Sequence, residues 1–248
     1  MLTLADCIVP DWPAAARVRA LFTTRQGGVS SGPWASLNLG KHVGDAAEAV
    51  AENRRRFGTL LPRAPQWVSL VHGDRVLRWE DDPAELQGDA VVTSLADRPC
   101  IVTAADCLPV FFCDRAASTV GVAHAGWRGL SAGVLERTVE AMRTPPAQVL
   151  AWLGPAIGPS AFEVGDDVRN AFVAADADAD SAFAGASAER PGKYFADIYR
   201  LARQRLAKAG VTHVYGGDFC TASDPLRFFS HRRDRISGRM AAAIWLQP

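Results

Sequence analysis

The amino-acid sequence predicts a single α+β domain over residues 1–248, built on mixed β-sheet. Three observations predict it. Short apolar runs with strand character outnumber helical patterns, and the two do not alternate strictly, as they do in doubly wound parallel folds. A chain of 248 residues, 48% of them hydrophobic, can bury one large core. Neither an internal repeat nor a linker divides it.

Strand-like runs fall at 18–24, 67–71, 101–103, 110–112, 120–123, 149–153, 211–215 and 242–246. Most are rich in Val, Ile, Leu or Phe, the composition of strands covered on at least one face. Four helices are legible between them. Asp45 is placed to cap a helix running through Arg56, with Gly58 as its stop. Ser131 is placed to cap a second, whose Val134, Leu135, Val139 and Met142 share one face. A third covers 166–174. Asp197 is placed to cap a fourth, with Ile198, Leu201 and Leu206 turned inward and Gly210 at its C-terminal end. The low-complexity stretch 174–192 reads as a surface excursion.

Composition narrows the function classes. The formal net charge is +0, so no global field draws in nucleic acid or an anionic membrane, and neither is an expected partner. The opening residues lack a basic stretch ahead of an apolar one, and no apolar run is long enough to cross a bilayer. Five cysteines (Cys7, Cys100, Cys107, Cys113 and Cys220) form an odd set without framework spacing. Such thiols fit a reducing compartment, so the expectation is a cytoplasmic monomer or weak homo-oligomer.

Three motifs carry the chemistry: His72 in V-H-G-D, Cys107 in A-D-C-L-P-V and His124 in A-H-A-G-W-R-G. Each adjoins a short apolar run and is bounded by Gly or Pro, so each belongs at a strand end or turn, where distant side chains converge. Two imidazoles and a thiolate suit zinc, and three protein ligands leave a tetrahedral ion one open position, the mark of a catalytic site. Asp106 has two readings: an acceptor that orients a ligand histidine or water, or a turn cap. His124 opens a strand–turn–helix unit whose Gly126–Gly129 amides and Arg128 can face an anion, or form a plain surface turn with Trp127. Arg25, in T-T-R-Q-G-G-V-S, can take phosphate or carboxylate in a fork, or sit on a hairpin surface. Asn38 follows in the polar loop S-L-N-L-G. Arg232, Arg233 and Arg239 in S-H-R-R-D-R-I-S-G-R-M can meet an anionic ligand or pair with Asp234. Cys220 is either a nucleophile or a buried inert thiol. No nucleotide fingerprint or P-loop is present.

Taken together these motifs, with G-D-A-V-V-T, L-G-P-A-I-G-P and F-E-V-G, resemble the YfiH-type family, also called the polyphenol oxidase or laccase-domain family. The resemblance covers nearly the whole chain in order. It implies an α+β domain with mixed β-sheets sandwiched by α-helices, and one zinc on His72, Cys107 and His124. It also implies purine nucleoside phosphorylase activity on adenosine, inosine and methylthioadenosine, with adenosine deaminase activity. Phosphate and a nucleoside are then the small-molecule partners, with Arg25, Asn38, Arg128 and Arg232 as substrate contacts and Arg25 and Arg128 as the phosphate cradle. The family is also described as copper-dependent polyphenol oxidase and as a peptidoglycan-precursor editing hydrolase, which leaves copper and a cell-wall substrate as alternatives. The chain departs from the family pattern at Leu70, where Gln is common, at Ala104, where Thr is common, and at Arg235, where Gly is common. None of these removes a metal ligand, but Leu70 puts one pocket hydrogen bond in question.

Overall fold

The computed structural model describes residues 2–185 and 190–248. In chain order the elements are β1 (Cys7–Ile8), β2 (Val18–Thr23), α1 (Ala47–Gly58), β3 (Val76–Arg78), β4 (Ala90–Thr93), β5 (Cys100–Ala104), β6 (Leu108–Asp114) and β7 (Val120–Ala125). There follow α2 (Trp127–Ala132), α3 (Val134–Met142), β8 (Val149–Leu153), β9 (Glu163–Gly165), α4 (Asp166–Val173), β10 (Phe183–Gly185) and β11 (Lys193–Ala196). The chain ends with α5 (Ile198–Lys208), β12 (His213–Gly216), α6 (His231–Asp234) and β13 (Met240–Leu246).

The strands form a four-stranded sheet, β1-β2-β13-β5, a six-stranded sheet, β12-β8-β6-β7-β4-β3, and a small β10-β11-β9 sheet. β12 runs parallel to β8 and β3 parallel to β4, while the other pairs are antiparallel, so the architecture is the mixed α+β one. Side-chain alternation stacks the layers. On β13, Met240, Ala242 and Ile244 join Val102 of β5 and Phe22 of β2 in a core shared with Phe111, Val122 and Trp152 of the six-stranded sheet. The opposite residues, Ala241, Ala243 and Ile101, pack with Phe57 of α1. On the far face of the six-stranded sheet, Val110, Phe112 and Ala123 meet Leu135 and Val139 of α3 and Leu201 of α5. Two sheets therefore lie between helices. β6 and β13 are covered on both faces, and every residue in them is buried, which is why they read as unbroken apolar runs.

Four expectations need correction. Residues 67–71 form no strand: Ser69 makes a single bridge to Gln87, and the run has no continuous neighbour. Asp45 does not cap α1, which starts after Ala46; its carboxylate instead accepts from Ser30 Oγ and Asn38 Nδ2. Ser131 lies inside α2, and Gly133, at φ +100°, separates α2 from α3. The stretch 174–192 is more than an excursion, since Ala179 and Ala182 are buried and Phe183–Gly185 forms β10; 186–189 lie outside the described residues. Asp197 does cap α5, accepting from the Arg200 N–H at 2.9 Å. No described helix is long and apolar enough to cross a membrane.

Candidate metal centre

The three donor residues meet where the two large sheets come together at one end. Between β5 and β6 the chain crosses from one sheet to the other in three residues, Ala105–Asp106–Cys107. Asp106 takes a left-handed φ of 79° to make that crossing. Cys107 has the parity of Phe111 and Cys113, and His124 that of Val120 and Val122, so both belong to the inter-sheet face. The β6–β7 register sets Pro109 opposite His124, leaving Cys107 beside the end of β7. His72 comes from the loop before β3 and has a left-handed φ of 59°.

Asp89, fully buried just ahead of β4, holds both histidines. Its carboxylate accepts the backbone N–H of His72 at 2.8 Å and of Gly73 at 2.7 Å, which fixes the His72 loop. The same carboxylate lies 3.2 Å from His124 Nδ1, and the Asp89 carbonyl accepts the His124 N–H at 2.6 Å. With Nδ1 turned to Asp89, His124 keeps Nε2 for a metal, the usual carboxylate–histidine support of a ligand imidazole.

The donor atoms of His72, Cys107 and His124 all lie within 4.8 Å of one another. Ligands of one tetrahedral zinc stand roughly 3.3–3.6 Å apart for ordinary Zn–N and Zn–S lengths, so the trio needs only a small contraction. The two imidazoles meet edge to face, with centroids 4.9 Å apart and planes at 89°. Gly126 borders the same space. A Cβ there would stand 3.0 Å from Cys107 Sγ and 3.6 Å from both His124 Cε1 and His72 Cδ2. The residues present therefore fit one small ion, and among the described residues they are the single such His/Cys/carboxylate group.

Electrostatics agree with that fit. Burial pushes the Cys107 thiol up, but the His124 and His72 imidazoles beside it outweigh burial and bring it down to about 6. Burial pushes His124 down, but the Cys107 sulfur and Asp89 outweigh it and raise the imidazole to about 9. Burial also disfavours the Asp89 carboxylate, yet the His124 contact and the two N–H donors leave it below its ordinary value. A linkage follows. These shifts favour a Cys107 thiolate paired with a protonated His124 in metal-free protein near pH 7. Uptake of a metal ion by the trio is then expected to displace the His124 proton, releasing about one proton, with affinity rising about tenfold per pH unit between the two values. Below about pH 6 a second proton, from Cys107, joins it. Calorimetric titration in buffers of different ionisation enthalpy measures this count, and zero protons released at pH 7 would contradict it.

The other sequence-derived candidates divide. Asp106 does not touch the donor trio: its carboxylate accepts from Thr221 Oγ1 at 2.6 Å and the Arg232 N–H at 2.7 Å, so it ties the crossing to α6. The contacts to His72 and His124 are made by Asp89 instead. Arg25 spends its guanidinium on the Ala35 and Pro225 carbonyls, at 2.7 and 3.1 Å, and stacks on Phe229. Asn38 is fully buried, bonded to Gly40, Asp45 and the Arg239 N–H. Arg128 is exposed and lies over Trp127. Arg232 lines a cleft of about 230 Å³ that opens beside Cys107 and Gly126, walled by Trp127, Phe162 and Arg235. Its Nη1 also donates to the Glu163 carbonyl at 2.8 Å. Cys220 stands outside the donor group, its sulfur accepting from the Gly158 N–H and Ser223 Oγ, both at 3.2 Å. Leu70 packs against the inter-sheet core.

Residues 19–247 match the family model described as multi-copper polyphenol oxidoreductase laccase. The chain belongs to this laccase-domain, YfiH-type family. A family member from Pseudomonas aeruginosa, named purine nucleoside phosphorylase, is 55% identical over 97% of this chain and 98% of its own. Another from Escherichia coli, named purine nucleoside phosphorylase YfiH, is 52% identical over 98% of this chain and its own full length. Among solved laccase-domain structures, a Neisseria meningitidis protein superposes with a TM-score of 0.93 at 47% identity, covering 98% of this chain and all of that one. Bacillus licheniformis YfiH superposes with a TM-score of 0.86 at 32% identity, covering 93% of each chain. Asp89, the residue that sequence reasoning missed, lies in the laccase-domain motif G-D-A-V-V-T. That motif sets an acid just before a fully buried strand, but nothing local in it points to the two histidines.

Proposed function

We propose that this chain is a zinc-dependent purine nucleoside phosphorylase acting on adenosine, inosine and methylthioadenosine. The carrying observation is the juxtaposition of the donor trio with an aromatic, cationic cleft at the same strand ends. The names of relatives that align over essentially the whole chain support the reaction class. His72, Cys107 and His124 would hold the ion. A bound zinc supplies Lewis acidity and lowers the pKa of water toward neutrality.

In phosphorolysis a phosphate oxygen bonds to the sugar anomeric carbon as the bond to the purine nitrogen breaks, and the purine leaves with that electron pair and takes a proton. Trp127 and Phe162 offer flat apolar walls on which a purine can stack. Arg232 and Arg235 bring positive charge to the phosphate side, replacing Arg25, whose Nε and Nη1 are held by backbone carbonyls outside the cleft lining, and Arg128, which is stacked outside it. Adenosine deamination would use the same cleft, with water adding at C6 and ammonia leaving. Five free cysteines suit a reducing compartment, which supports a cytoplasmic setting.

Metal-quantified protein incubated with adenosine is expected to yield adenine and ribose 1-phosphate in equal amounts, only with phosphate present. Inosine formed without phosphate reports deamination. Zinc-replete protein that forms no adenine at saturating phosphate would sink the reading. A second reading, phenol oxidation at copper, has the family description and a His₂Cys donor set behind it. One donor cluster among the described residues suits one ion better than several. An intense visible thiolate–copper band on freshly purified protein would favour that second reading.

A further inference from the structure

Arg239 immediately precedes β13, whose Met240 pairs with Ala104 at the end of β5. It therefore stands beside the Ala105–Cys107 crossing that carries a metal donor. A dedicated seat holds it. Its N–H donates to Asn38 Oδ1 at 2.9 Å, and its carbonyl accepts the Leu39 N–H at 3.0 Å. A Cβ on Gly40 would stand 2.7 Å from the Arg239 Cγ, so a glycine there leaves room for the arginine stem. The S-L-N-L-G motif thereby gains a structural role, in which Asn38 places Arg239 rather than touching a ligand.

The guanidinium is only half committed. Nη1 donates to the Ser237 and Gly238 carbonyls, at 2.9 and 3.0 Å. Nε and Nη2 have no hydrogen-bond partner among the described residues, and neither is sealed from solvent. These two nitrogens form one edge of the guanidinium, the fork that takes two oxygens of a phosphate or carboxylate. Burial works against the charge on Arg239, and Cys107 and Asp106 support it from a distance. The Asp106 carboxylate is already taken by Thr221 and the Arg232 N–H. A metal cation on Cys107 would offset that residue's charge. The side chain is then a part-buried cation with a free fork and no contact counter-ion, an arrangement that favours an oxyanion.

We propose that Arg239 binds an oxyanion beside this centre, adding its free fork to the positive charge of Arg232 and Arg235, and takes inorganic phosphate in the reaction proposed above, on which the phosphate assignment rests. The test uses full-length, zinc-loaded protein and inorganic phosphate, by calorimetric binding without nucleoside and by the phosphate dependence of nucleoside cleavage. Arg239→Gln is expected to raise both the phosphate Kd and the phosphate KM about 10- to 100-fold with zinc content unchanged. Arg239→Lys, which keeps a point charge but loses the fork, is expected to raise them at least about fivefold. A folded, zinc-replete Gln variant with wild-type phosphate Kd overturns the proposal. Should that variant not fold, an unchanged Kd in the Lys variant overturns it equally. Wild-type protein that binds phosphate through Arg239 but releases no adenine upholds the anion site and overturns phosphorolysis. Wild-type protein that phosphorolyses adenosine, while Arg239→Gln keeps its Kd and KM, overturns the role of Arg239 alone.

Discussion

Cys107→Ser is expected to weaken zinc binding by at least about two orders of magnitude and to abolish phosphate-dependent nucleoside cleavage. A structural zinc site is worth roughly 10–16 kcal/mol over its four ligands, so one ligand carries about 2.5–4 kcal/mol. The thiolate is the one anionic donor of the trio, and serine cannot replace it, because its hydroxyl stays protonated where the Cys107 thiol ionises at about 6. The loss propagates to His124. Among the influences that raise that imidazole the Cys107 charge is the largest, so the variant's His124 titrates below its wild-type value of about 9. Folding should change little, because the substitution is nearly isosteric and the crossing is held by Asp106 through Thr221 and the Arg232 N–H. Competition against a chelating dye measures the affinity. The same titration on Asp89→Asn is expected to show about a 10- to 100-fold loss, the range for a residue that orients a ligand without touching the metal. A Cys107→Ser protein with full zinc content and an undiminished rate would remove the metal from the mechanism.

This graded pattern reflects what could and could not be read from the residues. The convergence of His72, Cys107 and His124 was legible because His, Cys and His beside Gly or Pro at strand ends are rare, chemically specific and turn-bound. The buried strands were legible for the same kind of reason: a sheet covered on both faces leaves an apolar run that little else in an α+β domain imitates. Asp89 was not. Its value depends on reaching a backbone N–H 17 residues upstream and a ring 35 residues downstream, and neither separation leaves a local pattern. Arg25 and Asn38 misled because a polar side chain in a Gly-rich loop serves the loop's own carbonyls and amides as readily as a ligand. Residues 67–71 have strand composition without a strand's neighbour, and composition does not supply one. Ser131 looked like a cap because the break at Gly133 is a backbone event, a left-handed residue splitting one apolar periodicity into α2 and α3.

Gly126→Ala is expected to separate folding from function. Gly126 has φ −64° and ψ 159°, ordinary extended backbone open to any residue, so its glycine is not there to relieve a turn. At the N-cap of α2, alanine in place of glycine costs about 1 kcal/mol or less. Space is the stronger constraint. The new Cβ would lie 3.0 Å from the sulfur and 3.6 Å from carbons of both imidazoles, so a methyl group would enter the space the three donors share. The donors cannot retreat freely, because Asp89 holds His72 and His124 and the β6–β7 ladder fixes the strand that follows Cys107. Displacement of reacting groups by about 1 Å can lower a rate about 10²-fold. The alanine variant should therefore keep nearly the wild-type melting temperature when stripped of metal, while zinc affinity and nucleoside cleavage both fall by about that factor. Calorimetry on chelated protein and a zinc titration of the same sample test it directly. If Gly126→Ala binds zinc and turns over adenosine like wild type, the reacting centre lies elsewhere than the space bounded by His72, Cys107 and His124.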